Sequence, residues 1–205
     1  MKREKSQKNK RNLYVFVVII LLVALGALAI YYKYMKRQQM QETVHTPTTE
    51  TEKLIAKDLE MGYPETPKEV MKLFGRINQC IYNNSMSSGE FSTMVGKLRE
   101  LYCKELKDKN EQKKMEETIR EEKNTYKSQK RKIINYNIEE ENTYQYKEAE
   151  GKELVYLDFS YFIRASNEYS TVNLFAILVK EDGKWKIREF NPQEKRPQKI
   201  TKSKK

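Results

Sequence analysis

Hydrophobic and polar positions divide the chain into three regimes. Residues 13–30 read LYVFVVIILLVALGALAI, eighteen uncharged and almost wholly apolar positions in a row. At about 1.5 Å per helical residue the run reaches roughly 27 Å, close to the hydrocarbon thickness of a bilayer. A helix satisfies its own backbone polar groups, so it is the form in which a single apolar run crosses. The second regime, beyond residue 50, has helical periodicity. Leu54, Ile55 and Leu59 predict a short helical turn or an extended arm, and the Gly62-Tyr63-Pro64-Glu65-Thr66-Pro67 stretch breaks it. Thr66 before Pro67, with Glu69 beyond, predicts a capped helix start. Val70, Phe74, Ile77 and Ile81 then recur at i, i+4, i+7 and i+11, which predicts a helix to about Asn83. After a polar turn over residues 83–89, Phe91, Met94, Val95, Leu98, Leu101, Tyr102 and Leu106 predict a second helix ending near Lys109 and Asn110. Residues 111–130 are rich in Glu and Lys, and Met115, Ile119, Glu122 and Tyr126 mark the inner stripe of a third helix on the outside of the domain.

From Lys132 the period changes to two. Residues 133–138 and 143–147 predict two strands. Val155, Leu157, Phe159, Tyr161 and Ile163 alternate with more polar neighbours, which predicts a long strand with one apolar face. A turn near Ser166, Asn167 and Glu168 leads to a strand over residues 171–180. Asp182-Gly183 supplies a hairpin turn, and residues 185–190 return, stopped by Pro192. Helices first and antiparallel strands last make an α+β layout in one domain. The expected organisation is a basic tail (1–12), a transmembrane helix with its interfacial belt (13–34), a linker (35–51), an extracellular α+β domain (52–191) and a disordered basic tail (192–205).

Charge refines the topology. Residues 1–12 carry six Lys and Arg against Glu4, while only Lys33, Lys36 and Arg37 follow the apolar run. The heavier N-terminal flank places the N-terminus in the cytoplasm and the domain outside the cell membrane. A signal peptide cut after Ala27-Leu28-Ala29 is the rival reading. The length of the run and the Tyr31, Tyr32, Lys33, Tyr34, Lys36 belt favour an uncleaved signal-anchor. The chain has a net charge of +11. Residues 1–37 hold nine Lys and Arg against one acid and residues 191–205 six against one, leaving −2 for residues 38–190. The charge therefore belongs to flanks and tail, which removes the simple case for nucleic-acid binding. Cys80 and Cys103, on consecutive helices and about ten residues out of register, are expected to be free thiols. His45 lies in a polar linker with no neighbouring ligand type, so no metal and no cofactor is expected.

The helix start at Tyr63–Asn84 (YPETPKEVMKLFGRINQCIYNN), the single N-terminal span and the closing hairpin of Asp182, Gly183, Trp185, Lys186 and Ile187 resemble an uncharacterised family of small membrane-anchored proteins of clostridial Firmicutes. The hairpin also resembles the last hairpin of the nuclear transport factor 2-like fold. That resemblance implies a curved antiparallel sheet wrapped around helices as a cone, with an interior pocket lined here by Phe74, Phe159, Tyr161 and Trp185. It implies no activity. An enzyme of this fold would need a carboxylate and a Tyr or His in the cone, for which Asp158, Tyr156, Tyr161 and Tyr144 are the candidates. Asp158 is expected to point to solvent and Tyr161 into the core, so no catalytic residues are assigned. The expected function is a membrane-anchored binding or assembly domain, in contact with the bilayer and other envelope proteins and not with nucleic acid. The two alternatives are a subunit of a conjugation or type IV secretion-like complex, from layout alone, and a small-molecule-binding or acid–base enzyme using the cone.

Overall fold

The computed structural model describes residues 48–193. The apolar run, its basic flanks, His45 and most of the C-terminal tail lie outside the described residues. Among the described residues no helix is long and apolar enough to cross a membrane. The element order is α1 (Glu50–Ala56), α2 (Pro67–Asn83), α3 (Ser88–Glu100), α4 (Lys104–Lys109), α5 (Gln112–Ser128), β1 (Arg131–Ile138), β2 (Gln145–Ala149), β3 (Lys152–Ala165), β4 (Glu168–Glu181) and β5 (Lys184–Pro192). The architecture is α+β, with helices packed against a curved antiparallel sheet of order β1-β3-β4-β5 and β2 paired beside β1 on β3. Helix α1 starts inside the segment expected to be linker, because Thr49 and Glu52 close a capping box there.

Helix α2 forms as its sequence demands. Thr66 caps it by accepting from the Glu69 backbone N–H, and Pro67 occupies its first turn. Its apolar stripe of Val70, Phe74, Ile77 and Ile81 is buried against the inner face of the sheet, where Leu157, Phe159, Tyr161 and Ile163 of β3 project with Leu178 and Ile187. All belong to one continuous core. Two-residue hairpin loops at Glu150-Gly151 and Asp182-Gly183 both take positive φ at each central position, the type I′ geometry that matches strand twist.

Two features of α2 position β1. Asn83 donates from Nδ2 to the Ile133 carbonyl at 2.7 Å and accepts the Ile133 N–H at 2.9 Å, as a neighbouring strand would. Gln79 donates to the carbonyls of Ile133 and Ile134, where the β1–β3 register shifts between Ile133 and Asn135. The helix thus satisfies the backbone groups that a β-bulge leaves out of the ladder. The Tyr136 ring lies over Gly75, so close that a Cβ there would sit 2.7 Å from the ring.

The second helix differs from its expected extent. It ends at Glu100, and a separate short helix occupies Lys104–Lys109. Between them the backbone runs beside β5: Ile187 N–H donates to the Leu101 carbonyl at 2.7 Å and Cys103 N–H to the Ile187 carbonyl at 2.8 Å. Tyr102 pairs with Ile187 as an isolated parallel bridge. The apolar period continues through this stretch because Leu101 and Cys103 stay buried, so the period alone could not mark the break. The excursion covers part of the β5 edge, which would otherwise present unpaired backbone groups. Cys103 caps α4 through its sulfur, and both cysteines are free and buried.

Candidate functional site

The aromatic residues expected to line a pocket are buried in the core. Phe74 and Phe159 meet edge-on at 5.8 Å, and Phe159 and Tyr161 at 4.8 Å. Phe74 also stacks on Phe190 at 4.6 Å. Trp185 belongs to the same core, but its ring meets Tyr146, edge-on at 6.1 Å. The four potential acid–base residues are not brought together. Tyr161 and Tyr144 are core residues whose hydroxyls burial pushes well up from their ordinary pKa. Tyr156 and Asp158 lie on the other face of β3, where Tyr156 stacks on Phe175 and Asp158 accepts from Gln193 at 3.1 Å.

A different site emerges at the end of the domain where α2 turns into α3. A cleft of about 750 Å³ is walled by Tyr82, Asn83, Asn84, Ser85, Met86 and Phe91 on one side. Arg120, Lys123, Asn124 and Lys127 of α5 form the second wall, and Lys130, Arg131, Lys132, Arg164 and Ser166 the third. Seven of these fifteen residues are Lys or Arg, and none is Asp or Glu. Among the described residues none of the seven is in an ion pair.

Local structure explains the convergence. On α5, Arg120, Lys123 and Lys127 follow at i, i+3 and i+7 and therefore share a face. Glu116 and Glu117, four and three residues before Arg120, lie one turn nearer the helix start and outside the cleft lining, where Glu116 accepts from Ser92 and Gln112. Antiparallel pairing then sets Arg164 of β3 directly opposite Lys132 of β1. Like charges at such a position repel across the ladder. Lys130 and Ser166 sit side by side at the sheet's end, both with φ near +50°, and Ser166 N–H donates to the Lys130 carbonyl at 3.4 Å. Left-handed backbone at two non-glycine residues costs of order 1 kcal/mol or more each.

Several cations are held in place. The Arg120 guanidinium lies 4.1 Å over the Phe91 ring and leaves its edge N–H groups for a ligand. Lys123 donates to the Asn84 carbonyl at 2.6 Å and lies 5.9 Å from the Phe91 centroid. Burial, then Arg120 and Lys127, push the Lys123 ammonium down from its ordinary pKa. Arg131 lies 5.9 Å over Tyr126. Tyr82, beneath the cleft, donates its hydroxyl to Glu122, and burial followed by that bond pushes its pKa up. Among the described residues no group of three or more His, Cys, Asp or Glu side chains is placed to hold a metal ion. The chemistry of the cleft is that of anion recognition: forked guanidinium donors, ammonium point charges and asparagine amides around an apolar floor.

Sequence reasoning missed this site because summed charge hides it. The i, i+3, i+7 spacing of Arg120, Lys123 and Lys127, continued by Lys130-Arg131-Lys132, was the available signal.

Fold and cleft together define a small α+β domain with one strongly basic, ligand-sized cleft. A family model described as a domain of unknown function, DUF6715, matches residues 1–190, and the chain belongs to that family. The match takes in the apolar run as well as the folded domain. No curated protein matches the chain.

Proposed function

We propose that the chain is a membrane-anchored, outward-facing binding domain that takes an anionic ligand in the basic cleft. The run at residues 13–30 anchors it in the cell membrane, and the heavier basic flank keeps the N-terminus in the cytoplasm. The finer fold assignment, a nuclear transport factor 2-like cone, belongs to the same reading. Its support is the set of helices laid on the inner face of one curved sheet, together with the Asp182-Gly183 hairpin that carries Trp185. The observation that carries the binding reading is the gathering of seven cations without a carboxylate in one cleft. Such a cluster repels itself until an anion enters, so ligand binding and stability rise together. An outward-facing domain does not meet nucleic acid, which leaves phosphate- or carboxylate-bearing components of the envelope as partners.

No reaction is proposed. The separation of Asp158 and Tyr161 on opposite faces of β3 favours binding over acid–base chemistry in the cone. An assembly role in a secretion-like complex has layout in its favour and no side chain. The test is thermal unfolding of the full chain in neutral detergent with inorganic phosphate and pyrophosphate against chloride at matched ionic strength. The midpoint is expected to rise with the multivalent anions and to stop responding in R120E/K127E. An equal response to chloride would overturn the reading.

A further inference from the structure

We infer that the ligand of the basic cleft is the phosphate headgroup of anionic lipids in the bilayer that anchors the chain. This rests on the anion-binding reading and adds its source. The first argument is where the chain enters. Helix α1 begins at Glu50, and Thr51 accepts a hydrogen bond from Asn84 Nδ2 at 2.9 Å. Asn84 is itself part of the cleft rim, and its carbonyl holds Lys123. Glu50 pairs with Arg76 at 2.6 Å on the same helix α2 that delivers Tyr82 and Asn83 to the cleft. The cleft therefore stands beside the point at which the tethering chain joins the domain.

The second argument is reach. Thirteen residues, 35–47, separate the expected span and its belt from Thr48. Thirteen residues of chain reach at most about 45 Å. A tether of that length holds the rim at an effective concentration in the millimolar range relative to the lipid surface. Cationic side chains attract anionic headgroups only within about a Debye length, so the cleft must lie close to the surface to act, and the tether puts contact within range. A soluble phosphate gains nothing from this arrangement. The third argument is the composition of the walls. Met86, half-buried, lines the cleft near Arg120 and Lys123, giving apolar surface for a glycerol backbone next to donors for a phosphate, while Phe91 lies buried beneath Arg120 and holds it in place.

The full chain in nanodiscs tests this, with hydrogen exchange read across residues 120–132. In discs containing phosphatidylglycerol, exchange there is expected to slow about threefold against phosphatidylcholine discs, the effect of a site two-thirds occupied. The slowing should vanish near 1 M salt, where the Debye length falls to about 3 Å. R120E/K127E should abolish it. E121Q, on α5 but outside the cleft lining, should keep it. Equal exchange in both discs, with glycerol phosphate still raising the unfolding midpoint, would overturn the lipid source and leave anion binding standing. Equal exchange with no response to glycerol phosphate would overturn both.

Discussion

At the scale of single residues, the determinants that could be read from the sequence are those whose reason is local. Thr66 and Pro67 cap α2 because of what lies within one turn of them. Gly75 has its reason elsewhere. It sits inside a helix, where alanine is favoured by about 1 kcal/mol, yet the Tyr136 ring occupies the space a methyl group would need. Gly75→Ala is therefore expected to destabilise the fold by about 1–3 kcal/mol despite the better helix former. Urea unfolding checks it, and Tyr136→Ala in the same chain should recover part of the loss, as contacting residues couple. Asn83 is a second such residue. It looks like the end of a helix and acts as a strand, pairing both ways with Ile133. Asn83→Leu leaves the Ile133 N–H and carbonyl without these partners and is expected to cost about 1–3 kcal/mol. Asn83→Ser should cost no more.

At the scale of elements, period and turn chemistry were legible and long-range partners were not. The alternation of β3 predicted its buried face, and Asp182-Gly183 predicted the last hairpin. The helix through Leu101 was not broken by any local signal. Ile187 breaks it by taking two backbone hydrogen bonds from a chain segment more than eighty residues earlier. Helix α5 was legible as an amphipathic element, and Ile119 is its only buried residue. Ile119→Ala is expected to cost about 2–5 kcal/mol. Hydrogen exchange should show the loss first in α5, because its remaining ties to the domain are half-buried Met115 and Tyr126 and polar contacts at its surface. The basic cleft was illegible because five elements and the loops between them build it, and acids in the same segments cancel it in any sum. The period groups Arg120, Lys123 and Lys127, but Glu116 and Glu117 stand one turn before them, and only the fold shows that these acids lie outside the cleft.

At the scale of the molecule, stability should depend on alkaline pH in two opposing ways. Lys186 lies 4.0 Å over the Tyr63 ring and donates to the Glu100 carbonyl, and burial holds its pKa down to about 8. The unfolded chain binds that proton more tightly, so stability rises between about pH 8 and the ordinary lysine pKa near 10.5. The hydroxyls of Tyr63, Tyr82, Tyr102, Tyr144 and Tyr161 are pushed up, chiefly by burial. Their neutral forms are retained on folding, so stability falls above about pH 10, where the unfolded tyrosines ionise. Unfolding midpoints across pH 7–11 should therefore climb and then drop. Lys186→Met should flatten the climb and spare the drop; a climb that survives the substitution would assign it to another group. One feature of the whole has a mechanical side. Thr51, Asn84 and Lys123 form two hydrogen bonds in series from the entering chain to the wall of the cleft. The Glu50–Arg76 pair lies one residue nearer the entry point than this linkage, so the chain is held to α2 twice within its first turn of helix. Asn84 therefore ties the entering chain, through its side chain, and the Lys123 wall, through its carbonyl, to the same short loop.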